Sequence, residues 1–254
     1  MHTTHMEVQM KVQIDTIPIW EALEQDSECP LCLIAHKLEQ DSLQSAMGGA
    51  SMEPDIRLET NEKGFCAHHL GMLYAFRERL PLALMAHTHL QRLEEKLDKP
   101  LSALSQADTG RRSPFAKAPE TAIADLVALL ERQEASCHIC QRLDTLMERY
   151  CETMVHLYLK DAKFRTHLEQ GRGFCLPHFK AMLLAAQRKA HGKGQQALVA
   201  TLCDLQKKAL ERLDGELKHY TVMFDYRNTG GDWGTSRDAL PRTLEKLRGG
   251  LYQS

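Results

Sequence analysis

Residues 64–69 read GFCAHH and residues 173–178 read GFCLPH, so one chain carries the phrase Gly-Phe-Cys-x-x-His twice. Upstream of each copy lies a C-x-x-C: Cys29-Pro30-Leu31-Cys32, then Cys137-His138-Ile139-Cys140. Thiolate sulfur and imidazole nitrogen are the donors zinc takes in a tetrahedron, and a two-residue spacer sets both donors of a pair on one side of a tight turn or first helical turn. Cys32 and Cys66 are separated by 33 residues, Cys140 and Cys175 by 34. The simplest assignment is one site per repeat: Cys29, Cys32, Cys66 and His69 in the first, and Cys137, Cys140, Cys175 and His178 in the second. Whether each site closes within one repeat or across the two stays open. Zinc ribbons separate their ligand pairs by about fifteen to twenty residues. The longer spacing here leaves room for a helix, so the metal would tie helix ends together.

Other chemistries compete for the same residues. A C-x-x-C can be a redox dithiol, buried cysteines can be inert packing, and an iron–sulfur cluster can be held mostly by thiolates. The pairing of a C-x-x-C with a C-x-x-H in each half favours zinc, two ions per chain. A Cys3His set is coordinatively complete, whereas catalytic zinc keeps a position for water. His68 has Pro177 as its counterpart, so His69 is the ligand. Cys151 lies on an apolar stripe and reads as core. Cys203 and His87-Thr88-His89 lack the ligand count for a third site. His167-x-Glu169 lacks the following P-C-x-x-C of a zinc deaminase. Arg188, Lys189, Lys193, Lys207 and Lys208 read as solvated helix faces.

The elements that must position these residues read as helical. IPIWEALEQ at 17–25 and ETAIADLVALLERQ at 120–133 precede the two C-x-x-C motifs. The strongest periodicity covers 138–160, where Ile139, Leu143, Leu146, Met147, Tyr150, Cys151, Met154, Val155 and Tyr158 recur three or four apart. A second stripe runs through Leu198, Leu202, Leu205, Ala209, Leu213, Leu217 and Tyr220. Asp15 ahead of Thr16-Ile17-Pro18 reads as a helix start. Met6, Val8, Met10, Val12 and Ile14 alternate with polar residues, which is strand periodicity, and the segment near 221–226 is a candidate partner. These signals divide the chain into an N-terminal strand or arm at 1–16, a first helical metal-binding repeat at 17–97, a Pro/Gly/Ser-rich linker at 98–119, a second repeat at 120–227 and a C-terminal tail at 228–254. The fold class expected is mainly α, with two pseudo-repeated units each tied by a metal site.

The chain has 254 residues and a formal charge of -2, with acids and bases interspersed. That gives no field for a polyanion, so nucleic-acid binding is not expected. No run of eighteen apolar residues and no export signal are found, which points to a cytoplasmic protein with no membrane association. Eight cysteines in a reducing compartment suit metal binding better than disulfides.

The phrases ECPLCLIAHKLE, EPDIRLETNEKGFCAHH and LALMAHTHL, with the second GFC-x-x-H, make the chain similar to an uncharacterised bacterial family of duplicated C-x-x-C/GFC-x-x-H helical proteins, a domain of unknown function. The resemblance spans 14–227 and supports the same eight ligand positions. Some of its members are labelled ABC-transporter substrate-binding protein, a role that would call for an export signal. The function expected is a zinc-stabilised, non-catalytic interaction or regulatory scaffold with protein partners. The alternative is a thiol-based oxidoreductase or redox/metal sensor using the C-x-x-C pairs.

Overall fold

The computed structural model describes residues 15–105, 118–228 and 230–251, and among them the regular structure is helical, with no strand. We label the helices α1 (15–23), α2 (Pro30–Met47), α3 (Pro54–Lys63), α4 (Ala67–Tyr74), α5 (Leu80–Ser105), α6 (Pro119–Glu134), α7 (His138–Lys160), α8 (Ala162–Glu169), α9 (Leu176–Lys189), α10 (Gly192–Val222) and α11 (Ala239–Arg248). Prolines open α2 and α3 and sit in the first turn of α9, where the missing N–H has no helical acceptor to lose. Asp161 caps α8 by accepting from the N–H groups of Lys163 and Phe164.

The helices sort into two compact units that do not follow the two consecutive repeats expected at 17–97 and 120–227. One unit is Glu39–Asp144; the other combines the chain up to Leu38 with the chain from Thr145 onward. The divisions fall inside α2 and inside α7. The long stripe of α7 therefore serves two cores. Ile139 joins Leu43, Met47, Leu73 and Met85 in the core of 39–144, with Leu143 packed against it. Tyr150, Cys151, Met154, Val155 and Tyr158 join Ile19, Phe164, Phe174, Met182 and Leu198 in the other. There Trp20 meets Phe164 edge to face at 5.6 Å, and Arg149 holds the buried Asp15 through two hydrogen bonds of 2.6 and 2.8 Å. The α10 stripe is buried at Leu198, Leu202, Leu205, Ala209 and Leu213 as its period requires.

Three boundaries differ from the expectation. The linker at 98–119 begins too early, because α5 continues through Pro100 to Ser105 while Leu93, Leu97 and Leu104 keep helical spacing on a half-buried face; residues 106–117 lie outside the described residues. The tail at 228–254 contains α11, which packs on α9 and α10 and buries Ala239 and Lys246 completely. Its anchors are charged side chains that pair with residues far away in sequence, and local periodicity cannot show that. The strand expected from Met6, Val8, Met10, Val12 and Ile14 lies outside the described residues, and its candidate partner at 221–226 is the end of α10 followed by turns.

Candidate metal centres

Each C-x-x-C and each C-x-x-H begins a helix. Cys66 and Cys175 are the residues capping α4 and α9, and Cys29 and Cys137 immediately precede α2 and α7. The second donor of each pair then falls in the first helical turn, on the side its predecessor faces. Free N–H groups of that turn point at the sulfurs: His178 N–H donates to Cys175 Sγ at 3.4 Å and Cys140 N–H to Cys137 Sγ at 3.5 Å. Anions are favoured at such helix ends. The glycine of each GFC takes a positive φ, 63° at Gly64 and 78° at Gly173. A Cβ at Gly64 would stand 2.4 Å from His89 Nε2, so only glycine fits there. The Gly64 carbonyl also accepts from His138 N–H at 2.9 Å, which joins one GFC segment to the C-x-x-C turn of the other repeat.

The eight expected residues come together in two groups of four, but the pairing within each repeat is wrong. Cys29 and Cys32 meet Cys175 and His178; Cys66 and His69 meet Cys137 and Cys140. Helix length supplies the reason. The eighteen residues of α2 make a helix about 27 Å long, against about 15 Å for the ten residues of α3. In the second repeat the 23 residues of α7 outreach the eight of α8. Each C-x-x-C thus finds the C-x-x-H of the other repeat.

Within each group all four donor atoms lie within 4.8 Å of one another. His178 Nδ1 is 3.3, 3.4 and 3.2 Å from the sulfurs of Cys29, Cys32 and Cys175. His69 Nδ1 is 3.3, 3.4 and 3.4 Å from those of Cys66, Cys137 and Cys140. Sulfur–sulfur edges are 3.7 Å for Cys32–Cys175 and 3.8 Å for Cys66–Cys140. A tetrahedron with Zn–S bonds of about 2.3 Å has S···S edges of about 3.8 Å, so the donors are spaced for one ion of that size. None of the cysteines forms a disulfide.

The electrostatics of the bare donors point the same way. Burial, then the neighbouring sulfurs, push the Cys29 thiol well up. The sulfur of Cys175 brings Cys32 to about 12, and burial brings Cys140 to about 12. Cys175 is held low by hydrogen bonds from the Cys29 and Cys32 thiols. At Cys66 burial opposes ionisation, but the His69 N–H and the thiols of Cys137 and Cys140 outweigh it and lower the pKa. With protons alone, the thiols of Cys29, Cys32 and Cys140 resist ionisation. A divalent cation among the donors removes the obstacle to ionising all three, which is how metal binding and proton release are linked.

Sequence reasoning missed the groups behind the donors. Glu39 Oε1 lies 3.1 Å from His69 Nε2, so with Nδ1 aimed at the sulfurs the imidazole donates from Nε2 to a carboxylate. Such partners fix the tautomer of a ligating histidine. Glu39 sits two helical turns beyond Cys32 on α2, a spacing without a motif. Near the other group, the buried Glu28 receives Arg212 at 2.7 Å on both oxygens and Lys246 at 3.2 Å. Cys151 is buried core as expected, and Cys203 is exposed outside both groups. His68 is 68 % exposed, 3.5 Å from Glu39. His89 binds the Asn61 carbonyl instead of a metal group, and His167 lies against Trp20. Arg188 and Lys189 pair with Glu148 and Glu152.

Among the described residues no helix is long and apolar enough to cross a membrane. No curated protein and no solved structure matches the chain. Residues 10–254 match the family described as "Family of unknown function (DUF6062)". With the match covering nearly the whole length, the chain belongs to that family.

Proposed function

We propose that the protein binds two zinc ions, one through Cys29, Cys32, Cys175 and His178 and one through Cys66, His69, Cys137 and Cys140, and serves as a non-catalytic interaction or regulatory scaffold. The observation that carries this reading is the complete tetrahedral donor set in each group, three sulfurs and one imidazole nitrogen within 4.8 Å. Four protein donors leave no position for a substrate or an activated water. An iron–sulfur cluster fits less well, because ligands on its different irons stand farther apart than the 4.8 Å that spans each group. A protein partner is supported by apolar stripes left exposed at helical spacing: Ile123, Val127 and Leu130 on α6, and Leu240, Leu244 and Leu247 on α11. The balanced net charge of -2 argues against nucleic acid, and eight free thiols suit a reducing compartment such as the cytoplasm. The thiol-based alternative draws on Cys66 and Cys140, which are only half-buried.

The test is metal content by mass spectrometry on protein purified without chelator, followed by cobalt substitution. Two ions per chain and a tetrahedral, thiolate-rich cobalt spectrum that hydroxamate leaves unaltered are expected. A shift to five-coordination with hydroxamate would make the protein an enzyme; metal-free protein with reversible dithiol chemistry would make it an oxidoreductase.

A further inference from the structure

Given two metal-binding groups, their surroundings differ in a way that bears on what each is for. Cys29, Cys32 and Cys175 are 0, 3 and 0 % exposed, with His178 the one half-buried member of that group, whereas in the other group Cys66 and Cys140 are half-buried beside buried Cys137 and His69, so the groups differ in access to sulfur. The difference is made by the C-terminal segment. Lys246, itself 0 % exposed, donates to the carbonyl of Glu28 at 2.5 Å and to that of Arg172 at 2.8 Å. Those carbonyls belong to the residue just before Cys29 and the residue just before Gly173-Phe174-Cys175, so one ammonium clamps both donor turns. After α11 the chain turns at Gly249 and Gly250, with φ of 78° and 90°. A Cβ on Gly249 would stand 3.4 Å from Cys175 Sγ and 3.7 Å from Cys32 Sγ, and the Gly250 N–H donates to Cys32. The backbone therefore lies directly on the sulfur pair.

We infer that the two centres are unequal: α11 with Lys246 and the Gly249–Gly250 turn seals the Cys29/Cys32/Cys175/His178 centre as a slowly exchanging structural site, and the Cys66/His69/Cys137/Cys140 centre is the one that exchanges its divalent ion. This rests on the metal-binding reading above. Loss of a tightly held ion proceeds by entry of a competing ligand beside a departing thiolate, so access to sulfur sets the rate. At the sealed centre the wall of backbone blocks that entry. There too the buried ammonium and Arg212 share the Glu28 carboxylate, two cations on one anion beside a centre whose three thiolates and one divalent ion leave a net charge of about -1, in surroundings that screen it poorly. At the other centre the charged neighbour is the carboxylate of Glu39, 19 % exposed, which adds negative charge instead. Exchange at that centre gives the protein a means of responding to the supply of free metal while its remaining fold stays tied.

The experiment loads the full-length protein with two zinc ions and follows their capture by excess 4-(2-pyridylazo)resorcinol. Two phases are expected, one equivalent each, with rates at least about tenfold apart. Cys66→Ser should delete the fast phase and Cys29→Ser the slow one. Lys246→Met should speed the slow phase about tenfold without altering the fast one, and Lys246→Arg should recover much of the difference. In the unmodified protein, amide exchange across Ala239–Gly250 should rise with departure of the second equivalent and not the first, a readout that needs no variant to fold. A single rate for both ions, assignment of the slow phase to the Cys66 centre, or release of Ala239–Gly250 with the first equivalent would overturn the inference. Failure to load two ions would instead strike the metal-binding reading itself.

Discussion

A thiol becomes a metal ligand only by losing its proton, and at each centre three thiols must do so within a few ångströms. Removing one donor therefore leaves an incomplete set that competes poorly with protons. Cys66→Ser should reduce bound zinc from two per chain to one and loosen residues 39–144, because its partners are Cys137 and Cys140. Cys29→Ser should do the same to the other unit. Metal analysis combined with hydrogen exchange resolved by segment checks both, and disturbance spread by sequence repeat rather than by unit would refute the pairing. Cys151→Ser should keep both ions, since Cys151 is core and joins neither group. Glu39→Ala removes the acceptor of His69 Nε2–H and should weaken zinc at that centre about 10- to 100-fold in competition titrations. The other centre should keep its affinity.

Helices are held to the centres by two kinds of element-scale device, backbone shape and buried charge. Gly64 ends α3 with a positive φ and has His89 against it. Gly64→Ala should cost on the order of 2 kcal/mol from the backbone conformation alone, a positive φ with extended ψ that is essentially confined to glycine, with more from the crowding, seen as a lower melting point for 39–144. On α11 the Glu245 carboxyl is raised to about 7, first by burial and then by the Glu28 carboxylate nearby. The fold thus prefers Glu245 neutral. Its contribution is full below the ordinary carboxyl value of 4.5 and is lost as pH rises through about 7. Amide protection in α11, corrected for the intrinsic exchange rate, should accordingly fall between about pH 4.5 and 7 in the native protein and level off above, and Glu245→Gln should flatten that fall. Glu28 has the opposite sign. Burial opposes its ionisation, but Arg212 and Lys246 outweigh it and hold the carboxyl below 4.5. Its contribution is present above that value and lost as pH falls.

At the scale of the whole chain the pairing is interleaved: the first and fourth motifs make one centre, the second and third the other. Neither centre can close until residues beyond Cys137 are available, and the Cys29 centre waits for His178. A fragment of residues 1–105 contains Cys29, Cys32, Cys66 and His69, a full donor count by composition. Lacking the residues that each of its two pairs meets in the intact protein, that fragment should bind zinc at least about 100-fold more weakly than the full chain. Mixing it with residues 118–254 should restore both ions. Tight stoichiometric binding by 1–105 alone would mean that each repeat can form its own site.

The eight residues of the two Cys/His clusters were legible from residue type and spacing alone, because a two-residue spacer at a helix start sets both side chains of a pair on one side wherever it occurs. The helical class was legible from the stripes of α7 and α10, since burial of one helix face imposes its period on the sequence. Neither signal carries distance along a helix axis. How far α2 and α7 carry the chain before it turns was decided by tertiary structure, and with it which cysteines meet. The same holds for Glu39, Lys246 and the Gly249–Gly250 turn. Each acts across a long stretch of sequence through a single hydrogen bond, ion pair or close approach, and such contacts leave no periodic trace. Sequence set the donors; the rigidity of the helices between them chose their partners.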